Sequence, residues 1–339
     1  MAAHVLVTGA AGFIGSQLAE ALLARGDTVV GLDNLNDYYS PARKRLNVGE
    51  IESDPARAAA FHYVEGDVRD RGLLRDVFAE RPFDAVVHLA AMAGVRASIS
   101  DPSLYYDVNL NGTLALLDAA VGRIGPAASA SPPARLPTVI FASTSSVYGA
   151  TKRIPFVESD PCDTPLAPYA ASKRAGEMLA YTYHHLYGLP VTVFRFFTVY
   201  GPRNRPDMMA YKVADSIYLD REVPLFNGGQ MHRDWTFVGD IVRGLVAAVD
   251  RPLGYEVLNL GRGEPVLLAD FVRLIEAATG RKARLVPAPA PDTDVAYTYA
   301  DISKTRDRLG YHPTTSVREG VARFLAWYER AVRGAGQAP

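Results

Sequence analysis

The chain has 339 residues, 48% hydrophobic and 22% charged, with a net charge of −1 and one cysteine, Cys162. That is a water-soluble globular composition, long enough for one large domain or two that share a boundary. The balanced charge argues against a nucleic-acid or anionic-membrane partner, and a lone cysteine excludes an intramolecular disulfide and fits a reducing compartment.

The first element is legible at once. "HVLVTG" (4–9) is a strand, and the stretch to Gly15 reads as strand and turn rather than export signal, so a cytoplasmic location is expected. "IGSQLAEALLARG" (14–26) has helical apolar spacing and a closing glycine. "TVVGLD" (28–33), "FHYVEGDV" (61–68), "DAVVHLAA" (84–91) and "TVIFASTSS" (138–146) are further strands with helical patterns between them. Continuous apolar strands alternating with helices predict an α/β fold, a doubly wound parallel sheet covered on both faces. Segment 121–137, rich in Pro, Ala and Ser, reads as a loop insertion. "VTVFRFFTVYGP" (191–202) is a late strand running into a loop, and beyond it the alternation becomes irregular. A smaller second domain over the strand ends is expected, interleaved with the first: 1–195 plus 234–260 for the sheet domain, 196–233 plus 261–339 for the other.

Three sites carry chemistry. Gly9, Gly12 and Gly15 stand at the first strand-to-helix turn, where backbone N–H groups can approach a pyrophosphate. The spacing is G-x-x-G-x-x-G. Asp33 ends the second strand, where an acid accepts from a ribose 2′-hydroxyl and repels a 2′-phosphate, so NAD is preferred over NADP. Asp67, after the third strand, suits the adenine edge or serves as a loop cap. Tyr169-x-x-x-Lys173 opens a helix, and residues four apart share a face. A lysine ammonium there favours the phenolate, and such a tyrosine can take a proton from a substrate hydroxyl while hydride leaves the same carbon.

The set TGAAGFIG, LDN, GDV, HLAA, STSSVYG and YAASK resembles the extended short-chain dehydrogenase/reductases, and "RFFTVYGP" and "HRDWTFVGDIVRG" extend the likeness through the second half. The resemblance implies a Rossmann-type NAD domain, a smaller α/β domain for a nucleotide sugar, and a proton-relay triad of Thr144, Tyr169 and Lys173. It implies cofactor contacts at Gly9, Gly12, Phe13, Ile14, Gly15, Asp33, Asn34, Asp67 and Val68. Leu89, Ala90, Ala91, Asn109, Tyr169 and Lys173 complete that set. A homodimer through two helices of the NAD domain belongs to the same expectation.

Enzymes of this scaffold begin by oxidising C4 of the sugar. The 4,6-dehydratases resemble "TDEVYG" and the UDP-glucuronate decarboxylases "TSEVYG"; this chain has Ser145 and Ser146 in place of those carboxylates. Both serines can donate hydrogen bonds to a uronate, which a Glu would repel. "FFTVYGPRNRPDM" resembles the UDP-glucuronate 4-epimerases, with Thr198 where UDP-galactose 4-epimerases carry Asn, and Arg205 offers a fixed cation. By matching position Arg233 faces a diphosphate, Asp294 a uridine ribose and Phe226 the uracil. Pro291 and Asp292-Thr293 depart from the family pattern there. The expected activity is C4 epimerisation of UDP-glucuronate. A UDP-glucose 4-epimerase, a decarboxylase and a non-catalytic NAD-sensing protein remain open alternatives. His88, His184 and His185 read as structural, no His/Cys/Asp set has metal-ligand spacing, and Arg96 is left open between a phosphate and an acid.

Overall fold

The computed structural model describes residues 2–124, 133, 135–289 and 293–333; most of the 121–137 segment, and Pro291 and Asp292, lie outside them. In chain order the strands are β1 (His4–Thr8), β2 (Thr28–Asp33), β3 (Phe61–Glu65), β4 (Ala85–His88), β5 (Thr138–Thr144) and β6 (Val191–Phe196). The remainder are β7 (Thr198–Tyr200), β8 (Glu222–Phe226), β9 (His232–Phe237), β10 (Tyr255–Leu260), β11 (Pro265–Leu267) and β12 (Arg284–Ala288).

Seven strands form one parallel sheet in the order β3-β2-β1-β4-β5-β6-β10. Side chains alternate between faces along each strand, and both sets are buried. Val5, Val7, Ile140 and Phe194 pack into one apolar layer; Leu6, Val30, Val86, Val139 and Val193 pack into the other. This two-sided burial is why the strands read as unbroken apolar runs. The chain runs outward from β1 in both directions, so a crevice opens at the strand ends between β1 and β4, where open α/β sheets bind ligands.

The smaller half is built from β11-β9-β7 and from the pair β12-β8. The boundary expected at 233/234 cuts through β9, which pairs with β7 and β11 over its length and belongs wholly to the smaller sheet. The long helix Pro168–Tyr187 starts with Pro at its first position and ends at Gly188 with φ 69°, whose N–H closes on the His184 carbonyl. Pro lacks the N–H that a helix start leaves unpaired, and Gly tolerates the left-handed cap, so the sequence sets both ends. Its N-terminus delivers Tyr169 to the crevice.

Candidate active site

Two cavities meet at Tyr169. The first is lined by Gly9, Gly12, Phe13, Ile14, Gly15, Asp33, Asn34, Asp67, Val68, Leu89, Ala90, Ala91, Tyr169 and Lys173. Helix Phe13–Ala24 begins at Gly12 with no side-chain cap, leaving the N–H groups of its first turn for an anion. The glycines are demanded by close approach. A Cβ on Gly15 would lie 2.1 Å from the Gly9 carbonyl oxygen, and Gly9 itself has φ +72° with Ala90 N 2.8 Å from its would-be Cβ. The Tyr39 hydroxyl, 3.9 Å from a Cβ built on Gly12, is buried with no hydrogen-bond partner among the described residues and lies at the same cradle. Asp33 accepts from the N–H groups of Ala11 (3.1 Å) and Leu35 (2.9 Å), which leaves lone pairs for a ribose hydroxyl. Burial raises its pKa. These residues fit a dinucleotide with an unphosphorylated adenosine ribose.

Two cofactor expectations change. The Asp67 carboxylate is engaged on both oxygens, by the Arg69 backbone and guanidinium (2.8, 2.9 and 2.8 Å) and by Asn34 Nδ2 (2.8 Å). The Arg69 fork holds its pKa down at about 2. A carboxylate offers about four acceptor sites, so an adenine amine reaches this one only by displacing a bond. Asn109 does not line the cavity. It is fully buried and ties Met92 N (2.8 Å) and O (3.0 Å) to Ser172 Oγ (3.0 Å), bracing the crevice loop against the Tyr169 helix. Sequence reading missed Lys44, which lines the cavity with its Nζ on Asn36 O (2.7 Å) and Oδ1 (2.9 Å). A lysine inside "PARKRL" carries no signal that separates it from its exposed neighbours.

The second cavity is lined by Thr144, Ser145, Ser146, Thr198, Arg205, Arg233 and Asp294 together with Tyr169. Thr144 ends β5 and caps the short turn Ser145–Tyr148, accepting from Ser146 N (3.2 Å) while donating to Ser146 Oγ (3.2 Å). Thr144 also acts on the Tyr169 phenol, lowering its pKa against the rise that burial causes. Tyr169, Thr144 and Ser146 thus line one cavity, the latter two joined by a hydrogen bond.

Burial raises the Tyr169 pKa, and Arg205 opposes this. Lys173 is itself buried, its ammonium 5.1 Å from the Phe141 ring centre, and burial brings its pKa down to about 7. Burial acts on both members of the pair, raising the phenol and lowering the ammonium. Arg205 is fixed by a fork onto Asp207 (2.9 and 3.1 Å) and lines both cavities.

At the far end Arg233 donates to the His232 carbonyl (2.8 Å) and makes no ion pair among the described residues, and burial lowers its pKa. A desolvated cation of this kind suits a diphosphate. Phe226 does not line the cavity directly. Arg96 lies over its ring at 4.1 Å and pairs with Asp294 at 2.6 Å, which settles Arg96 on an acid. His88 is held between Thr8 (2.7 Å) and Thr113 (3.1 Å), and His184 meets the Leu189 carbonyl (2.9 Å). No group of metal-ligating side chains occurs among the described residues.

A doubly wound sheet with a glycine cradle, an acid ending β2 and a Thr–Tyr–Lys set at the cavity junction defines a short-chain dehydrogenase/reductase of the extended type. Residues 5–261 match the model of the NAD dependent epimerase/dehydratase family, and the chain belongs to it. It is 41% identical over 325 residues to UDP-glucuronate 4-epimerase of Thermodesulfobacterium geofontis, covering 96% of this chain and 95% of that one. It is 42% identical over 342 residues to UDP-glucuronate 4-epimerase 4 of Arabidopsis thaliana, covering 96% and 75%. The crystal structure of the Bacillus cereus UDP-glucuronic acid 4-epimerase, in complex with UDP-glucuronic acid and NAD, superposes with a TM-score of 0.85. Its identity is 33%, over 96% of this chain and 99% of that one.

Proposed function

We propose that this protein is an NAD-dependent UDP-glucuronate 4-epimerase, interconverting UDP-glucuronate and UDP-galacturonate without decarboxylation. The observation that carries the reading is the lining beside Tyr169: Ser145, Ser146, Thr198 and Arg205, all donors, in a cavity whose one carboxylate among the described residues, Asp294, is engaged by Arg96. Relatives of that name, similar over nearly the full chain, support it.

The cradle of Gly9, Gly12 and Gly15 with Asp33 would hold NAD, which supplies the hydride acceptor and returns the hydride. As the phenolate, Tyr169 takes the C4 hydroxyl proton and holds it as the phenol beside Thr144. Arg205 stabilises the phenolate that accepts this proton. The 4-keto sugar turns within the cavity, is reduced on its other face, and Tyr169 returns the proton. A 4-ketouronate is a β-keto acid and loses CO₂ readily. Hydrogen bonds from Ser145, Ser146 and Thr198 hold the carboxylate away from the alignment that expels it. Arg233 faces the diphosphate, and Asp294 and Phe226 the uridine.

A proton NMR time course with UDP-glucuronate, UDP-galacturonate and UDP-glucose tests the reading. Interconversion of the two uronates with little reaction of the neutral sugar is expected. Faster turnover of UDP-glucose, or a UDP-pentose as the main product, would overturn it.

The same reading includes a cytoplasmic homodimer. Met178, Tyr181 and His185 form an exposed stripe on helix Pro168–Tyr187, and Tyr106 is exposed nearby on the neighbouring helix. Spacing of three and four residues puts the stripe on one helix face. Light scattering at micromolar concentration should give twice the chain mass; a monomer removes this part of the reading. No helix among the described residues is long and apolar enough to cross a membrane.

A further inference from the structure

Behind the proton relay lies a buried ionic knot that the chemistry above does not use. Glu177 is fully buried on the Tyr169 helix. Its Oε1 accepts from Ser143 Oγ (2.5 Å) and Arg195 Nε (3.0 Å); its Oε2 accepts from Arg195 (2.9 Å) and Arg174 (2.9 Å). Arg195 is 2% exposed and stands on β6 directly beside Ser143 of β5 in the parallel register. The Arg195 guanidinium lies 4.8 Å from the Tyr148 ring centre, and the Tyr148 hydroxyl donates to Asn259 (2.6 Å) on β10. The knot therefore spans three strands, the turn after Thr144 and the helix.

Its placement relative to the relay is specific. Tyr169, Lys173 and Glu177 recur every four residues and share one helix face. Ser143 immediately precedes Thr144 and lines both cavities. One carboxylate thus ties the strand end that carries Thr144 to the helix that carries Tyr169. Because Ser143 spends its only proton on Glu177, it has none left to donate to Tyr169. Without Arg195 the buried Glu177 carboxylate would keep only the partly exposed Arg174 as counter-charge, so Arg195 is the main buried partner of the knot.

We propose that Ser143, Glu177 and Arg195 are positioning residues for the proton-transfer step, setting the separation of Thr144 from Tyr169. This rests on the epimerase reading but is tested separately. Ser143→Ala is the probe, because it cuts the strand-to-helix tie and leaves the ion pair intact. Per NAD-loaded site its kcat should fall about tenfold or more, since a displacement of about 1 Å can cost on the order of 10²-fold. KM for UDP-glucuronate should stay within about twofold, because this serine holds the relay rather than the nucleotide. Ser143→Thr, which restores the hydroxyl, should recover most of the rate. A crystal structure of Ser143→Ala should show Thr144 Oγ1 moved from Tyr169. Unchanged kcat per loaded site would overturn the proposal. So would a loss confined to melting temperature and loaded fraction, or a Thr variant as slow as the Ala variant. Glu177→Gln, with the charge lost, should melt lower and repeat the kcat loss in the fraction that folds; full rate per folded site would count against the proposal. If the wild type turns over UDP-glucose rather than UDP-glucuronate, the substrate reading fails, and the same comparison on UDP-glucose decides the positioning role.

Discussion

Arg96 and Asp294, the latter lining the substrate cavity, form a 2.6 Å ion pair, with the Arg96 guanidinium laid over the Phe226 ring at 4.1 Å. The pair joins a loop beside β4 to the smaller half of the molecule. A uridine that reaches Phe226 and Asp294 has to displace Arg96 from both. Asp294→Ala removes the acceptor proposed for the ribose, and one lost hydrogen bond of this type costs about 1.5–3 kcal/mol. KM for UDP-glucuronate should rise about tenfold or more with kcat nearly unchanged, as for a group that binds ground and transition states alike. Steady-state kinetics check this; a loss confined to kcat would refute the assignment.

Tyr169→Phe deletes the phenolic proton carrier and keeps the ring. Turnover should drop by roughly 10²–10⁴-fold, the range for a positioned acid–base group. UDP affinity by calorimetry should match wild type. Turnover close to wild type would remove Tyr169 from the relay.

Ser145 lines the substrate cavity at the start of the turn that Thr144 caps. Ser145→Ala should lower kcat/KM for UDP-glucuronate by about 10–100-fold, the worth of one hydrogen bond to a charged group. The slow reaction with UDP-glucose should barely change. Equal losses on both sugars would mean that this hydroxyl does not read the carboxylate.

Lys173 gives stability a pH dependence. Its folded pKa is pushed down to about 7 by burial, whereas an unfolded lysine holds its proton to roughly pH 10.4. Between those values the unfolded chain binds more protons, so stability is greatest at the alkaline end and is lost as pH falls toward 7. Lys44, whose pKa burial also lowers, acts in the same direction. His88, depressed to about 3, acts only below roughly pH 6.5. Cofactor-stripped protein should melt higher at pH 9 than at pH 7, and Lys173→Met should flatten that slope while leaving the part due to Lys44. An unchanged slope in the variant would place the lysine proton elsewhere.

Gly15→Ala puts a methyl 2.1 Å from the Gly9 carbonyl oxygen, backbone against backbone. No side-chain rotation relieves that contact. The variant should purify with little bound NAD and melt several degrees lower; full NAD content would show that the turn can open.

The glycine cradle, the acid at the end of β2 and the Tyr169–Lys173 face were legible because each is local. A turn needs its glycines at fixed offsets, and a helix brings residues four apart together whatever surrounds it. The doubly wound fold was legible for a related reason: buried strands must be apolar on both faces. Asn109 and Asp67 were assigned to the cofactor from position alone. What their side chains touch depended on Met92, Ser172, Arg69 and Asn34, which motif spacing does not reveal.

By itself, then, the sequence determined the fold class, the nucleotide cradle and the donors available around the sugar. The tertiary structure decided which charges act on which groups. It set Arg205 beside Tyr169 as a cation opposing the effect of burial, closed Arg96 onto Asp294 across 198 residues of chain, and buried Glu177 between Ser143 and Arg195. Coulomb interaction and desolvation depend on distance in space and exclusion of water, and neither follows from spacing along the chain.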